Sequence, residues 1–198
     1  MRIVKKAYLI TTLFLLLIRN GYTEVIYYFG GSLSSNWGTL VAGTLFHGSF
    51  SYEHPQAPNS FPFGSGAFYT FNNFSVTIGA ENPNLHGNGA ITVWNYNQSY
   101  PNDSLKIEQS GNSFLGGQEV TSVAIWLNDT SGLWLSSPSL PAAFSLSDFT
   151  PFLNSTGTGF YINGTFGSEL TYLVPEPSAL SLLAVGLGGL AMIRRRRS

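Results

Sequence analysis

The sequence predicts an all-β protein, an antiparallel β-sandwich or jelly-roll-like domain, from three observations. Charged residues make up only 10% of the 198 residues, whereas average proteins carry roughly 25%. Aromatic residues, which favour strands, reach 15%, and the chain holds 22 Gly and 10 Pro. Short runs alternate apolar and polar residues between turn signals, and no interior stretch has a convincing helical period. A single closed barrel is the second architecture that this pattern allows.

The alternating runs define the expected strands. Phe46, Phe50 and Tyr52 share one face of the second run, which also contains Gly48. Strands are expected at 25–29, 46–52, 74–78, 91–96, 121–127, 160–166 and 170–174. Turns are expected at Phe29–Gly31, Asn82–Asn84, Gly87–Gly89, Pro101–Asp103, Asn128–Asp129 and Asn163–Gly164. The stretch 136–150 is expected to be a loop with one short element, and residues 24–173 form one domain.

The N-terminus has the pattern of a secretory signal peptide over residues 1–23. Arg2, Lys5 and Lys6 precede a 12-residue stretch, 7–18, that is apolar except for two threonines. This length suits a signal peptide and is short of the roughly 20 residues that span a bilayer. A cut before Glu24 is expected, and an uncleaved anchor or a buried helix is the alternative.

The C-terminus, residues 174–198, has three parts in order. Pro175, Glu176 and Pro177 come first, and the prolines predict an exposed extended junction, because proline cannot sit inside a continuous helix. The uncharged 16-residue segment 178–193 follows, and as a helix it would be about 24 Å long. The chain then ends with Arg194, Arg195, Arg196, Arg197 and Ser198. The arginines predict a cytoplasmic C-terminus and a transmembrane helix over 178–193.

This arrangement resembles the PEP-CTERM sorting signal, which has a Pro-Glu-Pro motif, a short hydrophobic helix and a terminal arginine cluster. The resemblance implies a Gram-negative bacterium that makes extracellular polysaccharide. It also implies export through the Sec translocon and a transient stay in the inner membrane. In that family the membrane protease-transpeptidase exosortase recognises the tail and removes it, so the mature protein is expected at the cell surface or outside the cell.

A second resemblance covers roughly residues 25–80. The stretches 28–35 and 43–53 look like the opening of many PEP-CTERM passenger domains, in which a strand ends in Phe-x-Gly and a second aromatic strand follows. Here Glu53 stands where those domains usually have an aspartate. The run 74–79 fits the next strand of that pattern. This resemblance implies no particular activity.

Charge excludes nucleic acid as an expected partner. Between Glu24 and Leu173 the chain has nine acidic residues and a single basic one, Lys106, which gives that part a net charge of −8. A surface of this sign repels phosphate backbones. The chain has no cysteine, so disulfides and thiolate sites do not arise.

We expect no catalytic residues, no bound metal and no cofactor. His47, His54 and His86 match no zinc spacing, and no G-x-S-x-G nucleophile motif is present. Calcium at Asn102–Ser104 or Asn128–Thr130 is a minor alternative. So is a secreted hydrolase that uses paired carboxylates.

The expected function is that of a non-enzymatic surface or matrix protein associated with exopolysaccharide or biofilm. The runner-up is a sugar- or calcium-binding module of an adhesin type. Tryptophan faces could stack on sugars, but Trp94 and Trp126 are expected to be buried in a second packed face more readily than exposed.

Overall fold

The protein is described by a computed structural model that covers residues 23–60, 66–87, 89–95, 102–135, 137, 139–151 and 157–176. The prediction of an all-β antiparallel protein is confirmed in these residues. The predicted signal-peptide core, the hydrophobic segment 178–193 and the arginine cluster lie outside them. Within the described ranges, no helix has the length and apolar character needed to cross a membrane.

Ten strands and one 3-10 helix make up the described fold. The strands are β1 (Thr23–Ser32), β2 (Leu45–His54), β3 (Asn59–Ser60), β4 (Gly66–Tyr69), β5 (Asn73–Ile78), β6 (Gly89–Trp94), β7 (Asp103–Leu115), β8 (Gln118–Asp129), β9 (Gly159–Ile162) and β10 (Phe166–Pro175). The 3-10 helix, Leu146–Asp148, is the one short element inside the long loop after β8, as the sequence predicts.

All ten strands belong to one antiparallel sheet with the order β3-β4-β6-β7-β8-β9-β10-β1-β2-β5. The sheet is strongly curled. In a flat sheet, β2 and β9 would lie about 14 Å apart, since three strand spacings separate them. The rings of Phe46 on β2 and Phe160 on β9 nevertheless stack with centroids 4.6 Å apart. The curl therefore supplies the two facing layers that the sandwich prediction assigned to separate sheets.

The core fills the concave face of the sheet. The predicted alternation is confirmed in β2, where Phe46, Phe50 and Tyr52 are buried, and in β8, where every second residue from 123 to 127 is buried. Tyr27 at the centre of β1 packs its ring on Phe144 of the long loop, with centroids 4.3 Å apart. Its hydroxyl accepts a hydrogen bond from the Phe144 N–H at 2.8 Å. The loop is thereby fastened across the open side of the curl.

The sheet differs from the prediction in several places. β3 and β4 were not predicted, and the run expected as one strand over 160–166 is divided by a turn into β9 and the start of β10. Phe29–Gly31 lies inside β1 as a bulge in its pairing with β10, and it is not a turn. Here the close approach of Phe46 and of the Glu169 backbone leaves no room for a side chain on Gly31. The 13-residue strand β7 was not predicted, because its second half, Gln109–Ser113, is polar and weakly patterned. The predicted Asn163–Gly164 turn is confirmed, with φ of 52° and 68°, the left-handed values a tight hairpin requires.

Gly48 on β2 gives a test of how tightly the curl is packed. A Cβ at this position would collide with the Ser75 carbonyl oxygen of β5 and with the ring of Phe29. We expect Gly48→Ala to lower the free energy of unfolding by about 1–3 kcal/mol, because backbone or ring must shift. His47→Ala, at an exposed position of the same strand one residue before, should change it by less than about 0.5 kcal/mol. Urea unfolding followed by tryptophan fluorescence would measure both, and equal effects would refute the packing argument.

Candidate functional site

The sorting motif predicted from the sequence begins inside the sheet. β10 pairs with β1 as far as Pro175, which lies opposite Tyr27. One residue on, the Glu176 N–H donates to the Ile26 carbonyl oxygen at 2.8 Å. Amide groups alternate in direction along a strand, so residue 175 points its nitrogen away from β1. Proline at position 175 therefore removes no hydrogen bond from the β1–β10 ladder. Sheets tolerate proline at positions of this kind.

The side chains at this strand end are open to solvent. Pro175 and Glu176 are both exposed, as the predicted extended junction requires. The Tyr28 hydroxyl lies 3.5 Å from a Glu176 carboxylate oxygen. Pro177 and the four arginines Arg194, Arg195, Arg196 and Arg197 lie outside the described residues. The part of the motif that the structure describes is thus accessible through its side chains, while its backbone is held by β1.

The described chain enters β1 and leaves β10 at the same end of the sheet. β1 begins at Thr23, the last residue of the predicted signal peptide 1–23, and runs antiparallel to β10. Tyr27, the fifth residue of β1, is therefore opposite Pro175, the last residue of β10, and the Glu176 N–H bonds to Ile26. The two ends of the described domain consequently lie on neighbouring strands.

A second candidate site lies on the convex face, around Trp126 of β8. This side chain is 38% exposed, so the expectation that it is buried was wrong, and Trp94 is half-buried. Among the described residues no second layer covers this side chain, although Ala124 and Tyr161 on the same face are buried. Tyr161 of β9 meets the Trp126 ring edge-on at 5.9 Å. Lys106, directly opposite on β7, places its ammonium 6.0 Å from the ring centre and 2.8 Å from the Glu108 carboxylate.

The three histidines do not form a site in the structure. His47 is exposed on β2, as predicted, His54 is half-buried at the end of the same strand, and His86 is exposed in a loop. Among the described residues, no group of three or more His, Cys, Asp or Glu side chains is arranged to hold a metal ion.

The two candidate calcium loops are organised by buried aspartates that bind the protein's own N–H groups. Asp103 and Asp129 are 0% and 7% exposed and lie opposite each other on β7 and β8. Asp103 accepts the Leu135 N–H at 2.6 Å. Asp129 accepts the N–H groups of Leu133 and Trp134 at 3.1 and 3.0 Å. These oxygens therefore shape the chain after β8, a role that the sequence alone did not reveal.

Asp129 also receives the N–H and hydroxyl of Ser131, the hydroxyl at 2.7 Å from both carboxylate oxygens. Burial by itself would raise the pKa of this carboxyl, but the hydrogen bonds from Ser131, Leu133 and Trp134 outweigh it and hold the pKa below its ordinary value. The group is therefore a carboxylate that the fold stabilises in its charged form.

Comparison with known families identifies the C-terminal segment. The family model of the PEP-CTERM protein-sorting motif matches residues 173–197, which confirms the resemblance found in the sequence. The chain thus carries a motif that implies an exported protein, sorted to the surface with exosortase as its processing partner. No curated protein and no solved structure matches the chain.

Replacing Asp129 by asparagine tests its structural role. The amide would turn an N–H₂ group toward backbone N–H donors, so Asp129→Asn should lower the free energy of unfolding by about 1–3 kcal/mol at pH 7. The folded-state pKa lies below the unfolded value, so the carboxylate's contribution is complete above about pH 4 and is lost as the pH falls through the folded-state pKa.

The stability difference between the wild type and Asp129→Asn should therefore narrow in acid. Denaturant unfolding at a series of pH values from 7 to 3 would measure it. Glu119→Gln, which neutralises an exposed carboxylate of the same strand, is the matched control and should have little effect. A difference that stays constant down to pH 3 would contradict the assignment.

Proposed function

We propose that the chain is an exported, non-enzymatic protein of the cell surface or extracellular matrix, associated with exopolysaccharide. In this proposal the segment 178–193 anchors it in the inner membrane until exosortase processes the tail. The PEP-CTERM motif at 173–197 is the observation that carries the proposal, because its presence implies export and sorting.

The position of the motif relative to the fold supports processing after folding. All ten strands are complete by Pro175, the last residue of β10. Removing the residues after Glu176 would therefore take no strand from the sheet and no side chain from the described core. A tail of this kind can be cut away without a loss of packing in the domain.

The use of the charged residues supports a binding or structural role over catalysis. The two buried aspartates, Asp103 and Asp129, hold the chain after β8 through backbone N–H groups. Lys106 and Glu108 neutralise each other at 2.8 Å on the convex face. A hydrolase needs a carboxylate that is poised for proton transfer toward a substrate, and these three carboxylates are committed to other partners.

Substitutions in the motif test the sorting proposal. Glu176→Gln keeps the backbone bond to Ile26 but removes the charge, and Pro177→Ala removes the second proline. We expect both variants to accumulate with an intact C-terminus in the membrane fraction of the native host. Glu169→Gln, an exposed glutamate of β10 outside the motif, is the control and should be processed normally. Mass spectrometry of the C-terminal peptide is the measurement. Normal release of both motif variants would refute the sorting proposal.

Carbohydrate binding at the convex face is the second candidate function, and the exposure of Trp126 favours it. An exposed indole offers a flat apolar face for a sugar ring, and the adjacent Lys106–Glu108 pair offers hydrogen-bond donors and acceptors for hydroxyl groups. Trp94 lies on the same face two strands away, next to Thr92, which pairs with Lys106. The arrangement suits an uncharged polysaccharide, since an anionic one would meet a domain of net charge −8.

Affinity electrophoresis through gels containing the native host's exopolysaccharide tests this candidate. Trp126→Ala should weaken retardation about 3- to 10-fold, as expected for the loss of one stacking contact, and Trp126→Phe should restore part of it. Tyr172→Ala is the matched control, because Tyr172 is 40% exposed at another place on the convex face. Equal mobility of the wild type and Trp126→Ala would exclude this face as the sugar site.

A further inference from the structure

Three exposed side chains form an apolar patch beside the sorting motif. Tyr28, Tyr172 and Val174 are 42%, 40% and 47% exposed. Tyr28 and Val174 are directly opposite each other on β1 and β10, and Tyr172 is opposite Gly30. A Cβ on Gly30 would be 2.6 Å from the Tyr172 ring, so this ring lies across β1 toward Tyr28. We call these three residues the exit patch.

The exit patch is held close to the predicted membrane segment. Glu176 is fixed to β1 by its bond to Ile26, and the uncharged segment begins at residue 178. Two residues of fully extended chain span about 7 Å. This is no longer than the interfacial region of a bilayer, which is roughly 5–8 Å thick on each side. While the tail is in the membrane, the domain therefore cannot move away from the surface.

The chemistry of the patch fits the bilayer interface. Tyrosine has an apolar ring with a polar hydroxyl and is enriched at the level of the lipid headgroups. We propose that the exit patch rests on the membrane interface before the tail is removed, with the convex face of β1 and β10 turned toward the lipid. This inference rests on the proposed membrane stage of the protein.

The charges around the patch define which lipids it fits. Glu24 and Glu53 are directly opposite each other at the same end of β1 and β2, and Glu176 is within reach of the Tyr28 hydroxyl. An acidic rim is repelled by anionic headgroups and tolerated by zwitterionic ones. The patch should therefore contact a phosphatidylcholine surface more closely than one rich in anionic lipid. Three half-exposed side chains are too few to hold the domain alone, so the contact depends on the tether.

The absence of cysteine from the chain makes a site-specific probe possible. The full-length protein would carry Thr171→Cys, an exposed position next to Tyr172, labelled with an environment-sensitive fluorophore. Gln118→Cys is the matched control, because the strand registers place this exposed residue at the opposite end of the sheet from Pro175. Both proteins would be reconstituted into phosphatidylcholine vesicles and tested for co-flotation.

We expect the label at position 171 to shift its emission to shorter wavelength on vesicles, and the label at position 118 to stay unchanged. Replacing Tyr28, Tyr172 and Val174 by serine should abolish the shift without reducing co-flotation, and Val174→Ser alone should reduce it. Circular dichroism would confirm that the strands are retained. Vesicles with about thirty per cent anionic lipid should give a smaller shift, because each glutamate near the patch is repelled by the negative surface.

Three outcomes would overturn the inference. Co-flotation without a shift at position 171 would show that the domain stands clear of the lipid although the anchor works. A shift that grows with the protein-to-lipid ratio would assign the patch to contact with a second copy of the chain. Failure of the full-length protein to float with vesicles would refute the proposed membrane stage itself, and the patch contact with it.

Discussion

The pairing of β1 with β10 is the constraint on which the rest of the structure depends. Through a single ladder it joins seven strands, β3-β4-β6-β7-β8-β9-β10, to three, β1-β2-β5. The core crosses this ladder, because Phe29 of β1 packs near Phe160 of β9 with ring centroids 6.4 Å apart. Without β10 the sheet would be two smaller sheets, and core contacts across this ladder, such as that of Phe29 with Phe160, would no longer be enforced by strand pairing.

The same ladder couples folding to the position of the sorting motif in the chain. Tyr27 and Pro175 are nearly the whole length of the domain apart in sequence, so their pairing is among the last contacts that a chain exported from its N-terminus can make. The residues that complete the sheet are immediately followed by those that carry the PEP-CTERM motif. Until β10 has been exported, the domain therefore lacks its last strand, and the motif at the end of β10 has not been exported either.

How much the sequence predicts depends on whether the signal is local. The alternation in β2 and β8 identifies two buried faces, because each lies within one short segment. The sorting motif is contiguous and was found for the same reason. The surroundings of Trp126 were not predicted, because they require Lys106 on β7 to lie opposite Trp126 on β8. The polar second half of β7 conceals that strand, and a register between two strands is not written in either one alone.

The same distinction applies to the fold class, which local signals predict, and to the number of layers, which they do not. Residue types and turn signals establish that the chain is all-β, but they do not tell two packed sheets from one curled sheet, since both bury every second residue. The curl depends on close contacts such as those of Gly48 on β2 with Ser75 of β5 and Phe29 of β1. These contacts form only when the three strands are assembled. The exposure of Trp126 is consistent with the curl, because the main core cluster lies on the concave face and Trp126 is on the other face.

The charge distribution bears on the orientation of the unprocessed chain in the proposed membrane stage and on the release of the domain after the tail is removed. Basic residues lie at the two ends, and the part from Glu24 to Leu173 has nine acids with Lys106 as its one base. That base is neutralised by Glu108, so it offers little attraction to an anionic surface. In the proposed membrane stage the basic ends would stay on the cytoplasmic side, and the acidic domain would be repelled by anionic lipid. In that stage the apolar tail would supply most of the attraction to the membrane. Removal of the tail would leave a folded acidic domain with only the small exit patch to retain it.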